Sequence, residues 1–187
     1  MGNIRYDVCY LIFVVETDSI SLTDERYIKK FLQTHYNEYY NLLIKPMFVY
    51  MGSNTKYDSS EVKQNIRLQK ENIYDYKNAY VKVIYCFDRD RINKDKGKID
   101  DYINYCDTNG YEFVIFSKNI EDCFKPKRIK NKVETAKNYY SSPISKANLP
   151  ISIFENSVDI CRTQNGVSNL NIVLKPILEK IKKDEKE

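Results

Sequence analysis

The feature that most constrains this chain is an alternation between short, unbroken apolar runs and longer amphipathic stretches. Tyr10–Val15 (YLIFVV) is too short for a buried helix and has no polar residue to face water, so it predicts a strand covered on both sides. Thr23–Tyr40 follows with Tyr27, Ile28, Phe31 and Leu32 at helical spacing, and Thr23 or Asp24 is placed to cap it. Pro46–Met51 predicts a second strand, ended by Gly52. Ser59–Ile73 predicts a helix with Ser59 as N-cap and Val62, Ile66 and Ile73 apolar. Val81–Phe87, interrupted only by Lys82, predicts the third strand, and it stops at Asp88-Arg89-Asp90. Ile99, Ile103 and Cys106 mark a helix closed by Asn109-Gly110. Tyr111–Phe116 predicts the fourth strand.

Four strand-then-helix units imply a parallel sheet with helices on both faces. The expected fold class is therefore α/β, three-layered, with a mostly parallel four-stranded Rossmann-like sheet. Beyond residue 125 the character changes. Lys125–Lys146 carries seven Lys or Arg against one Glu, with Pro143 and Pro150 as punctuation. The organisation read here is an α/β domain over residues 1–125 and a basic C-terminal extension over 126–187. Within that extension Leu149–Phe154 predicts one more strand and Val173–Ile181 a terminal helix, with Pro176 starting or kinking it.

Composition removes several chemistries. The single histidine, His35, excludes a multi-histidine zinc site and leaves a helix-face role as the plain reading. No run approaches the length of a membrane span. Five cysteines, Cys9, Cys86, Cys106, Cys123 and Cys161, form no CxxC pair. Cys9 and Cys86 lie in or beside apolar runs, which suits reduced, buried thiols and a cytoplasmic setting. The net charge of +4 across 187 residues is only mildly basic, so any electrostatic track must be local. Lys125, Lys127, Arg128, Lys130 and Lys132 form the densest such track. Their alternative is a solvated face in a Lys-rich protein.

Ligands of open parallel sheets bind at the carboxyl ends of the strands. Glu16 follows the first apolar run, and Asp88 and Asp90 end the third. Strand alternation puts those two aspartates on one side with Arg89 facing away. Neighbouring strand tips lie about 4.8 Å apart, so a Glu and an Asp there can share one cation. An oxygen-only set without His or Cys suits Mg²⁺ or Mn²⁺. The plainer alternative makes these ordinary polar strand ends, with Arg89 and Arg91 neutralising the aspartates.

These residues also carry a resemblance. Val14-Val15-Glu16, followed by Asp24-Glu25 opening a helix, resembles the first motif of the Toprim domain, which topoisomerases, primases and several nucleases share. Val83–Asp90 (VIYCFDRD) resembles that family's DxD motif, and CFDRD is similar to the RloB-like branch of phage-defence proteins. Ser117–Phe124 (SKNIEDCF) resembles the Asn-x-x-Glu-type segment of the same branch. The likeness spans about residues 8–125. It departs from the pattern at Thr17, where the family has Gly, and in a longer Thr17–Thr23 loop.

The resemblance implies a Mg²⁺- or Mn²⁺-dependent nuclease acting on RNA, tRNA included, or DNA, as a phage-defence or toxin effector. Asp88 and Asp90 take the places of metal-binding aspartates. Glu16 takes that of the general acid/base or metal ligand, and Glu121 that of an extra ligand. An ATPase or sensor subunit fits as partner, and a homo-oligomer stays open. The alternative is a catalytically lapsed scaffold that binds a protein or nucleic acid.

Overall fold

The computed structural model describes residues 8–40, 42–73, 78–89, 96–124, 131–144 and 149–182. Four strands, β1 (Val8–Val15), β2 (Ile44–Tyr50), β3 (Ala79–Arg89) and β4 (Glu112–Ser117), form one sheet in the order β2-β1-β3-β4. Every neighbouring pair is parallel. The helices are α1 (Thr23–His35), α2 (Asn37–Tyr40), α3 (Ser60–Glu71), α4 (Lys96–Asn109), α5 (Ile120–Phe124), α6 (Lys132–Ser141), α7 (Val158–Thr163) and α8 (Leu170–Lys182). The expected α/β class and parallel sheet are both present.

Strand periodicity divides the core into two layers. Cys9, Leu11, Phe13 and Val15 of β1 face one side, with Ile84 and Cys86 of β3. They meet Tyr27, Ile28, Phe31 and Leu32 of α1. Ile12 and Val14 face the other side with Val83, Tyr85 and Phe87, against Val62 and Ile66 of α3 and Tyr102 and Cys106 of α4. The helix after β1 and the helix after β3 thus cover opposite faces. This makes the gap between the carboxyl ends of β1 and β3 the topological switch point, where open α/β sheets leave a crevice.

Local chemistry explains most boundaries. Ser59 caps α3 by accepting from the Val62 N–H at 3.3 Å. Gly110 closes α4 at φ +67°, a left-handed conformation that costs a residue without Cβ little. The expected Thr23–Tyr40 helix breaks into α1 and α2 at Tyr36, whose N–H reaches back to Leu32 O. All five cysteines are buried and free. His35 closes α1 half-buried against Phe31, and burial lowers its pKa.

Beyond residue 125 the structure differs from expectation in one element. Ile151–Phe154 is a 3₁₀ turn, not a strand. Pro150 opens it, and Phe154 turns inward onto Phe31 and Phe124 with ring centroids 4.7 and 4.8 Å away. Ala136, Tyr139, Phe154, Leu170, Leu174, Ile177 and Leu178 all join the α1 layer, so this basic segment carries one wall of the core. It also covers the free edge of β4. The Asn169 side chain accepts from Ile115 N–H at 2.8 Å and donates to Phe113 O at 2.9 Å. Ser168 forms an antiparallel bridge with Phe116. An exposed edge that would template another chain is thereby closed.

Candidate carboxylate site at the switch point

The strand tips β1 and β3 diverge after the pairing of Val14 with Tyr85. Where they part, a side chain takes over from the ladder: the Asp88 N–H donates to Glu16 Oε1 at 2.9 Å. Glu16, Asp24 and Asp88 are each held by a backbone N–H, and Glu121 by a lysine side chain. Thr17 N–H donates to Asp24 Oδ2 at 3.4 Å, and the Glu16 backbone N–H supports the same carboxylate. Ile120 N–H, at the start of α5, donates to Asp88 Oδ1 at 3.1 Å. Glu121 Oε2 meets Lys132 Nζ at 3.2 Å, joining α5 to α6. Four acids from β1, α1, β3 and α5 therefore form one electrostatic group.

Two strained turns help set this arrangement. Leu22, just before α1, has φ +49°, and Lys118, just before α5, has φ +78°. Non-glycine residues in that region cost about 1–2 kcal/mol each. Both turns lead directly into helices that present an acid, Asp24 and Glu121, to the same place.

Asp24 and Glu121 are 5% and 4% exposed, so their charges are poorly solvated. Burial, reinforced by the Glu121 charge, pushes the Asp24 carboxyl up to about 7 against the hydrogen bonds that favour its ionised form. Asp88 is raised well above the ordinary carboxylate range, first by burial and then by Asp24, Glu16 and Glu121. Burial alone would lower the Lys132 ammonium, but Glu121, Asp88 and Asp24 outweigh it and the pKa is raised. At the margin lie two buried hydroxyls, those of Tyr27 and Thr17, with no hydrogen-bond partner among the described residues. Tyr27 is wholly buried, and its hydroxyl feels the Glu121 and Asp24 charges.

No family model, curated protein or solved structure matches this chain.

Of the residues singled out from sequence, the structure brings together Glu16, Asp88, Glu121 and Lys132. Lys132, expected on a nucleic-acid track, stands against Glu121. Asp90, Lys125, Lys127, Arg128 and Lys130 lie outside the described residues. Asp24 joins the group without having been singled out as a site residue. Its signal was present as an acid in the first helical turn after a Glu-tipped strand, and it reads equally as a helix cap. Arg89 does point away from Asp88, as alternation requires. It is 2% exposed and donates to Arg162 O, to Gln164 O at 2.9 Å and to Asn165 Oδ1. Cys123 sits nearby, but its thiol donates to Val167 O and burial raises its pKa well above the free value. It is therefore a packed thiol and not a nucleophile.

The donor chemistry fits a hard divalent cation: carboxylate oxygens from several rigid elements, mutually repelling, with unsatisfied hydroxyls beside them. Among the described residues no three acid, His or Cys side chains stand as a ready-made ligand set. Also among the described residues, no helix is long and apolar enough to cross a membrane.

Proposed function

We propose that the switch-point acids hold Mg²⁺ or Mn²⁺ and that the protein is a metal-dependent nuclease acting on RNA or DNA. The observation that carries this reading is the convergence of Glu16, Asp24, Asp88 and Glu121, from four separate parts of the chain, on the switch point of the sheet, where α/β folds generally bind ligands. Gathering four acids, two of them buried, is costly unless protons or cations compensate, and that cost is itself a sign of use. The acid cluster supports the cation, whereas the nuclease activity and the role as a phage-defence effector rest on the Toprim resemblance.

In this reading Asp88 and Glu121 are the ligands, with Asp90 beside Asp88 in sequence. A bound divalent cation would supply charge stabilisation at a scissile phosphate. Glu16 is held by the Asp88 N–H through one oxygen, which fixes its carboxylate to orient or deprotonate a water. Asp24, with its carboxyl raised to about 7, is protonated for part of the time at neutral pH, which suits a proton donor to a leaving oxygen. Lys132 brings positive charge beside the acids where a phosphate backbone would pass.

The test is calorimetric titration of Mg²⁺ and Mn²⁺ into wild type and Asp88→Asn, followed by cleavage assays on single-stranded RNA and DNA. Binding and metal-dependent cleavage that Asp88→Asn abolishes while the variant stays folded is the expected result. A wild type that neither binds cation nor cleaves overturns the reading. It leaves the second one, a lapsed scaffold, which the existing ion pair of Glu121 with Lys132 favours.

A further inference from the structure

We propose that Lys132 is a resident counter-ion of the acid cluster, which a divalent cation must displace from Glu121 to bind. This inference rests on the divalent-cation reading and adds how the site is kept intact without metal. Lys132 lies in the first turn of α6, which is capped by Asn131 accepting from the Glu134 N–H at 3.1 Å. Its ammonium meets the 4%-exposed Glu121 at 3.2 Å while 60% of its own side chain stays exposed.

The electrostatics extend past that one contact. Lys132 favours the ionised forms of both Asp24 and Asp88, so one ammonium from α6 offsets charge drawn from α1, β3 and α5. Its hold on the site is reversible by construction. The ammonium hangs on a flexible four-carbon stem that is mostly in solvent, whereas Asp24, Glu16 and Asp88 are fixed by backbone N–H groups. The wholly buried Tyr27 hydroxyl, without a partner among the described residues, lies in the field of Glu121 and Asp24.

Two positive groups cannot both sit against Glu121 without mutual repulsion. Cation binding therefore turns Glu121 from ammonium to metal and releases Lys132. A residue that merely supports the site would weaken metal binding when removed. A displaced counter-ion has the opposite signature.

Calorimetry with Mg²⁺ on the full chain separates the two. Lys132→Met is expected to bind Mg²⁺ about tenfold tighter than wild type, because a competing charge is gone. Lys132→Arg keeps the charge and is expected to stay within about threefold of wild type. Should Lys132→Met not fold, Lys132→Gln removes the same charge and is read in the same way. Binding by both proteins, tighter in Lys132→Met than in wild type, supports the displacement outright. Wild-type binding with equal or weaker binding by the neutral variant overturns it. Absence of Mg²⁺ binding by wild type and Lys132→Met alike overturns the cation reading itself, and this inference with it.

Discussion

The Glu16 carboxylate accepts a hydrogen bond from the Asp88 backbone N–H at 2.9 Å, tying the tips of β1 and β3 together where their ladder ends. One side chain thus has a structural role and, in the nuclease reading, a chemical one, and the two are separable. Glu16→Gln keeps an acceptor oxygen and removes a charge that repels Asp88, so its melting temperature is expected to equal or exceed that of wild type. Glu16→Ala leaves a partly buried N–H unpaired, a cost of about 1–2 kcal/mol. Both variants are expected to lose cation affinity by at least about tenfold. Thermal melts paired with Mg²⁺ titrations check the split, and a Glu16→Gln that melts with Glu16→Ala contradicts it.

Arg89 fastens the same strand tip to the C-terminal third of the chain. Its guanidinium is buried and reaches Arg162 O, Gln164 O and Asn165 Oδ1. Arg89→Met strips those acceptors of a charged donor and is expected to cost about 2–4 kcal/mol. Arg89→Lys, with a point charge in place of a planar fork, should fall between. Melting curves give the ranking, and faster tryptic cleavage after Arg162 in Arg89→Met localises the damage.

The segment from 149 to 182 gives a third prediction through Phe154, which is fully buried among Phe31, Phe124 and His35. Phe154→Ala is expected to destabilise by about 3–5 kcal/mol. Ile151→Ala, one turn away and 38% exposed, is expected to stay within about 1 kcal/mol of wild type. Denaturant melts of the pair suffice. Equal effects would mean that Phe154 does not carry the wall of the core it is seen to fill.

The strands were legible because burial on both faces writes itself as an unbroken apolar run, and β1 and β3 both show it. Ser59 as the cap of α3 and Gly110 as the end of α4 were legible for the same local reason, since each meets a backbone need that few residues satisfy. Leu149–Phe154 was misleading. Three apolar residues after a proline fit a strand pattern, yet here they curl into a 3₁₀ turn that delivers one aromatic ring to the core. The site divides in the same way. Glu16 and Asp88 announce themselves by ending strands. Asp24 looks like any acid at a helix start, and only the left-handed Leu22 before it shows how α1 enters over the site. Lys132 reads as one lysine among many, because nothing in the sequence says that α6 lands beside α5.

Asp24 sets the pH dependence. Its carboxyl ionises near 4 in an unfolded chain and at about 7 in the fold, where burial and then Glu121 oppose its charge. Between those values the native state holds more protons than the unfolded state, so this group's contribution to stability falls as pH rises. It is fully present below about pH 4 and lost as pH passes through about 7. Asp88, raised by burial and by its acidic neighbours, acts in the same direction. His35, whose pKa burial lowers, acts in the opposite direction as pH falls, so a single melting curve mixes the terms. The difference between wild type and Asp24→Asn isolates the aspartate. Asp24→Asn is expected to melt several degrees higher than wild type at pH 8, with the gap narrowing as pH falls toward 5. Melts at half-unit pH intervals without divalent cation measure it directly. A gap that is constant across that range would show that Asp24 stays ionised in the fold, and would remove the proton-donor role assigned to it.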